Sequence, residues 1–200
     1  MKLYFSATSP YVRKVMACAI ARGIEGRIQP VPTNPHESPP ALVHDNPLSK
    51  VPCLVTEDGF ALFDSPVICE YLDSVGDVIP LFPPHGAARW RALRFQAMGD
   101  GILDAAVLRR MEGARPREAA RDGVVERQGA AVSRALDALE ADPPANHLDI
   151  GAIAVACALG YLDFRFAHEP WRDGRPKLAH WFEAIAARPE LARTGPPPGA

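Results

Sequence analysis

Three short stretches carry residues whose types and spacing could do chemistry. The first is TSPYVRKV, residues 8–15. Ser9 precedes Pro10, which suits a serine at a helix N-cap and a proline at the first helical position, where a missing N–H costs nothing. Cysteines at positions 9 and 12 would make the core C-P-Y-C, a dithiol redox motif, but both sulfurs are absent. A helix N-terminus presents unpaired N–H groups and the positive end of the helix dipole, and a thiolate placed there is stabilised. Two readings of Ser9 stand side by side: it only caps the helix, or it also donates a hydrogen bond to a sulfur that a ligand brings.

The second stretch is KVPCLV, residues 50–55. A cis bond before Pro52 would let Val51 turn its N–H and C=O outward to pair with an extended peptide ligand, as in strand addition. The alternative is an ordinary trans proline opening a strand. Lys50 offers a cation to a carboxylate. The third stretch is DSPVICEYL, residues 64–72. Ser65-Pro66 reads as a second cap followed by proline, its hydroxyl and nearby N–H groups suited to a carboxylate, and Asp64 suits an ammonium group. A ligand meeting all three has a thiol, a peptide backbone, carboxylates and an ammonium group. Glutathione has all four.

These stretches need elements to position them. Lys2 to Phe5 reads as a strand, and Val12, Val15, Met16, Ala19 and Ile20 mark one helix face ended by Gly23. Residues 27–31 read as a second strand and 32–49 as an irregular connection with one helical turn near 41–44. Residues 53–56 and 60–63 are two short strands around an Asp58-Gly59 turn, followed by a helix through Ile68, Tyr71, Leu72 and Val75. The order βαβ then ββα suits a thioredoxin-like domain. The Pro- and Gly-rich residues 78–86 read as a linker. Beyond it the pattern is all helical: about 89–112, a helix opened by Pro116 and ended by Pro143-Pro144, the nearly all-apolar 150–166, and 177–187. The expectation is therefore an α/β thioredoxin-like domain over 1–77, a linker over 78–86 and an all-α domain over 87–200. The TGPPPGA tail is too rich in Pro and Gly to pack.

Composition narrows the function. Lys+Arg is 22 and Asp+Glu 24, a net charge of −2, which argues against nucleic acid as a partner. No apolar run is long enough to span a membrane and no signal-peptide pattern opens the chain. Cys18, Cys53, Cys69 and Cys157 lack C-x-x-C pairing and read as core residues of a reduced, cytoplasmic chain. His36, His44, His147 and His180 form no metal-ligand spacing, so no metal is expected.

SPYVRKV, NPLSKVPCLV, FDSPVICEYLD, GDGILDAAVLRR and IAVACALGYLDFRF together resemble the glutathione S-transferase family along nearly the whole chain. The likeness is greatest to bacterial serine-type members. It implies a homodimer, glutathione as cosubstrate and an electrophile site in the cleft between domains. Carried over by position, Ser9 matches the hydroxyl that holds the glutathione thiolate, Val51 the residue pairing with the cysteinyl part and Pro52 the cis-proline. Asp64 and Ser65 match the pair binding the γ-glutamyl end, and Lys50 a contact to the glycine carboxylate. Tyr11 would line the pocket for a small hydrophobic electrophile, with Met98, Ile102 and Trp171 as weaker candidates. One departure stands out: the family's Ser/Thr-x-x-Asp cap of the central helix is Asp149-x-x-Ala152 here. The cap bond is expected to survive while its reciprocal partner is lost. The activity implied is conjugation, with glutathione-dependent peroxide reduction, dehalogenation or isomerisation, or a non-catalytic protein-binding role, as alternatives.

Overall fold

The computed structural model describes residues 1–116 and 118–197. Packing divides the chain into two units, with breaks after Arg89 and after Arg188. The first unit contains β1 (Lys2–Phe5), α1 (Pro10–Ala21), β2 (Gln29–Pro32), α2 (Pro40–Asp45), β3 (Cys53–Val55), β4 (Ala61–Leu62) and α3 (Ser65–Val75). The sheet order is β2-β1-β3-β4, with β1 parallel to β2 and antiparallel to β3, and β4 antiparallel to β3.

Strand alternation sorts the core into two faces. The Tyr4–Cys53 pair packs with Leu42 of α2, while the Leu3–Leu54 pair faces the other way, and all five are buried. β2 begins two residues later than its apolar run suggests, because 25–27 make a 3₁₀ turn first. It carries Pro30 and Pro32, which have no N–H to donate and suit an edge strand. α1 ends as expected, with Gly23 at φ 69°, a left-handed conformation that costs glycine nothing.

Residues 78–86 are not a free linker. Leu81 and Phe82 are buried, and Asp73 of α3 accepts their N–H groups at 2.7 and 3.2 Å. The same carboxylate lies 3.1 Å from Arg22 Nε at the end of α1, and Arg22 Nη2 donates to the carbonyls of Asp73 and Gly76. Both side chains are less than a tenth exposed. Residues 51 positions apart thus form a buried ion pair that locks two helix ends and the following segment together.

The second unit is helical: α4 (Gly86–Gly113, its first turn lying with the first unit), α5 (Ala119–Ala141), α6 (Ile150–Arg165) and α7 (Pro176–Ala186). Residues 150–159 of α6 are all buried. Small side chains let α4 come close. A Cβ on Gly99 would sit 2.6 Å from the carbonyl carbon of Ala154, and one on Gly151 would sit 2.6 Å from the Ala92 carbonyl oxygen. Asp149 Oδ1 accepts the Ala152 N–H at 2.8 Å, so the cap bond survives, while the Ala152 side chain has no acceptor to return it. α5 starts at Ala119 rather than at Pro116.

The chain then returns to the first unit from Pro189, where α8 (Pro189–Ala192) packs on α1 and Arg13 Nη2 donates to the Leu191 carbonyl at 3.3 Å. The tail is therefore packed at its start: Thr194 Oγ1 donates to the Glu190 carbonyl at 3.0 Å. Its last residues, 198–200, lie outside the described residues. Packing thus groups residues 78–86 and α8 with the first unit: Asp73 draws the former inward, and α8 crosses back.

Removing one member of a buried ion pair leaves an uncompensated charge. Asp73→Ala is expected to lower the unfolding free energy by about 3 kcal/mol. Urea denaturation measures this, and a change under about 0.5 kcal/mol, typical of surface substitutions, would contradict the role given to the pair.

Candidate functional site

Sheet direction decides where the three stretches meet. β1 and β4 run toward one edge of the sheet and β3 runs away from it. The segment after β1, the segment before β3 and the segment after β4 therefore lie at that same edge. They contain Ser9, residues 50–52, and Asp64 with Ser65.

Ser9 is the N-cap of α1. Its Oγ accepts the Val12 N–H at 3.3 Å, and Pro10 opens the helix. The cap uses a lone pair, so the hydroxyl proton remains to be donated. The two readings of Ser9 are thus compatible with one geometry. Ser9 and Tyr11 are both partly exposed.

The Val51–Pro52 bond is cis. Among the described residues neither the N–H nor the C=O of Val51 has a backbone partner, and the regular ladder begins with Cys53 against Tyr4. Lys50 is exposed. At α3 the structure differs from the sequence reading by one residue: Asp64 holds the N-cap position without a side-chain cap bond, and Ser65 and Pro66 lie in the first turn. Pro66 is tolerated there because first-turn N–H groups have no intrahelical acceptor. Asp64 is exposed and Ser65 is buried.

The remaining pocket candidates separate by burial. Met98 is partly exposed. Ile102 and Trp171 are only 1% and 5% exposed and pack inside the second unit. The Trp171 ring meets Phe182 edge-on at 5.7 Å, and its Nε1 donates to Asp163 Oδ1 at 2.7 Å. Ile102 sits on α4, where helical spacing alone cannot separate a core face from a ligand face, whereas Trp171 lies in the turn between α6 and α7.

Two neighbouring residues escaped the sequence reading. Asp45, at the end of α2, accepts the Tyr4 hydroxyl at 2.6 Å and the Lys2 ammonium at 3.1 Å, and His44 Nδ1 lies 2.9 Å from it. Hydrogen bonds from Tyr4 first, and then from His44, hold its pKa down at about 2. Burial pushes the Cys53 thiol up to about 11, in keeping with a core role, and all four cysteines are buried and free. Asn46 follows Asp45 and is 1% exposed. Both sit in a stretch whose Pro and Ser content signals only a loop. Among the described residues no group of three His, Cys, Asp or Glu is arranged to hold a metal, and no helix is long and apolar enough to cross a membrane.

The chain matches the family model for the N-terminal domain of glutathione S-transferase over residues 8–75 and that for the C-terminal domain over residues 122–184. A crystal structure of a glutathione transferase family member from Pseudomonas fluorescens Pf-5, with bound glutathione, is 44% identical, covers 98% of each chain and superposes with a TM-score of 0.92. A glutathione S-transferase from Methylobacillus flagellatus KT with glutathione bound is 36% identical over 98% of this chain and 99% of its own, with a TM-score of 0.88. The uncharacterized GST-like protein YibF of Escherichia coli (strain K12) is 35% identical over 98% of this chain and 99% of its own length. The chain belongs to the glutathione S-transferase family.

The Asp45 contacts fix a pH dependence. Its folded pKa lies below the ordinary carboxylate value, so its contribution is fully present above pH about 4 and is lost as pH falls toward about 2. Asp45→Asn is expected to cost about 1–2 kcal/mol at neutral pH, with the gap to wild type closing below pH about 4. Denaturation series at several pH values check this, and a gap that does not change with pH would contradict it.

Proposed function

We propose that this chain binds glutathione at the shared sheet edge of its first unit and conjugates it, as a serine-type transferase, to a small hydrophobic electrophile. The observation that carries the reading is Ser9, a hydroxyl at a helix N-terminus whose lone pair is spent on the cap and whose proton is available. Bound glutathione in relatives of 44% and 36% identity supports the ligand. A second Pseudomonas fluorescens Pf-5 structure, 43% identical, holds S-(propanoic acid)-glutathione, which supports a site that accommodates a substituted sulfur.

In this reading Val51 pairs its backbone groups with the cysteinyl residue, Pro52 shapes that turn, and Lys50 meets the glycine carboxylate. Asp64 meets the γ-glutamyl ammonium, and Ser65 with the first-turn N–H groups meets its carboxylate. The electrophile lies over the sulfur beside Tyr11. The thiol loses its proton to solvent. Its thiolate is held by the Ser9 O–H and the helix dipole. The sulfur lone pair then forms the C–S bond while the leaving group departs with its electron pair. The hydroxyl stays protonated throughout, so no covalent enzyme intermediate forms. Thiolate stabilisation and positioning supply the rate. A cytoplasmic homodimer acting in detoxification completes the proposal.

Ser9→Ala is expected to lower kcat at least tenfold, the order of one lost charge-assisted hydrogen bond, while the Kd for glutathione changes much less. Turnover of wild type and variant across electrophile classes checks this, and equal kcat in the two proteins would overturn the role of Ser9. Wild type is expected to be retained on immobilised glutathione and eluted by millimolar free glutathione. Failure to bind would favour a protein-binding role instead.

A further inference from the structure

Asn46 is a polar side chain with almost no exposure in a segment without regular structure. Every group it carries is engaged. Its backbone N–H donates to the Leu42 carbonyl at 2.7 Å, closing α2, and its carbonyl accepts the Ser49 N–H at 2.9 Å. Its side-chain Oδ1 accepts the Leu48 N–H at 3.1 Å, and its Nδ2 donates to the Lys50 carbonyl at 2.9 Å. One residue thus spans the loop from its start at α2 to the residue before Val51. Ser49 adds a second anchor: its Oγ lies 3.1 Å from the Pro35 carbonyl and 3.0 Å from Ser38 Oγ.

The Lys50 carbonyl belongs to the peptide unit whose N–H is that of Val51. An amide donating to that carbonyl from a buried, fully engaged side chain fixes the plane of the peptide and hence the direction of the Val51 N–H. Val51 has no backbone partner among the described residues, so sheet pairing does not set that direction. We infer that Asn46 is a positioning residue for glutathione binding: it aims the Val51 N–H and the Lys50 side chain at the ligand without touching it. This rests on the proposed glutathione site.

The discriminating substitution is Asn46→Asp. It keeps the acceptor for the Leu48 N–H and removes the donor to the Lys50 carbonyl. The Kd and KM for glutathione are expected to rise about tenfold, and KM to change more than kcat. A lost tether acts through the segment that carries Lys50, so a double-mutant cycle with Lys50→Ala should be non-additive in glutathione Kd. Unchanged glutathione Kd in a folded Asn46→Asp protein, or strict additivity with Lys50→Ala, would overturn the inference. Backbone ¹⁵N order parameters for residues 48–51 supply a readout without ligand. They should fall in Asn46→Asp, and unchanged values would overturn the tether even in a protein that bound no glutathione. Wild type failing to bind glutathione would remove the proposed site, while the order parameters still decide whether Asn46 holds the loop.

Discussion

The antiparallel pairing of β1 with β3 is the constraint on which the rest depends. It places the end of one strand and the start of the other at a single edge, and pairing β4 against β3 brings a third segment there. The register also sorts the core. Slipping by one residue would exchange Leu3 and Leu54 with Tyr4 and Cys53 between the two faces, each already filled by buried apolar groups. Hydrophobic burial on both faces therefore fixes, at no extra cost, the relative positions of Ser9 and Val51.

The strands themselves are only two to four residues long, so their ladders cannot hold the loops that carry the candidate residues. Buried polar groups do that. Asp45 ties the end of α2 to β1 through Tyr4 and Asn46 spans the loop to Lys50, while the Arg22–Asp73 pair fixes the opposite, C-terminal ends of α1 and α3. A polar group is costly to bury alone, and that cost falls as it gains partners. Ser9 differs in having capacity left over. Its oxygen accepts the Val12 N–H and completes the helix start, which leaves the hydroxyl proton available for a further bond.

Much of the local structure around the candidate site was legible in the sequence because caps and prolines have local signatures. Ser9-Pro10 reads as a helix start from two adjacent residues, and Lys50-Val51-Pro52 reads as a break before a strand. The α/β-then-helical order followed from periodicity, and so did the buried centre at α6. What was not legible depended on distance or on composition that hides function. Arg22 and Asp73 are 51 positions apart, and nothing local pairs them. Asn46 lies in a Pro- and Ser-rich run where a single amide carries no signal. Ile102 shows the limit of periodicity, since an apolar helical position looks alike whether it meets a ligand or a neighbouring helix. α8 and the burial of Leu81 and Phe82 needed tertiary contacts to be seen.

The ionisation of glutathione bound to this protein is the direct measure of the role proposed for Ser9. Thiolate absorbance in the ultraviolet, followed against pH with glutathione saturating the protein, gives the pKa of the bound thiol. If the N-terminus of α1 and the Ser9 hydroxyl hold the thiolate, that pKa lies a unit or more below the ordinary thiol value of about 8.5 and rises again in Ser9→Ala. A bound thiol titrating like a free one in the wild-type protein would contradict it.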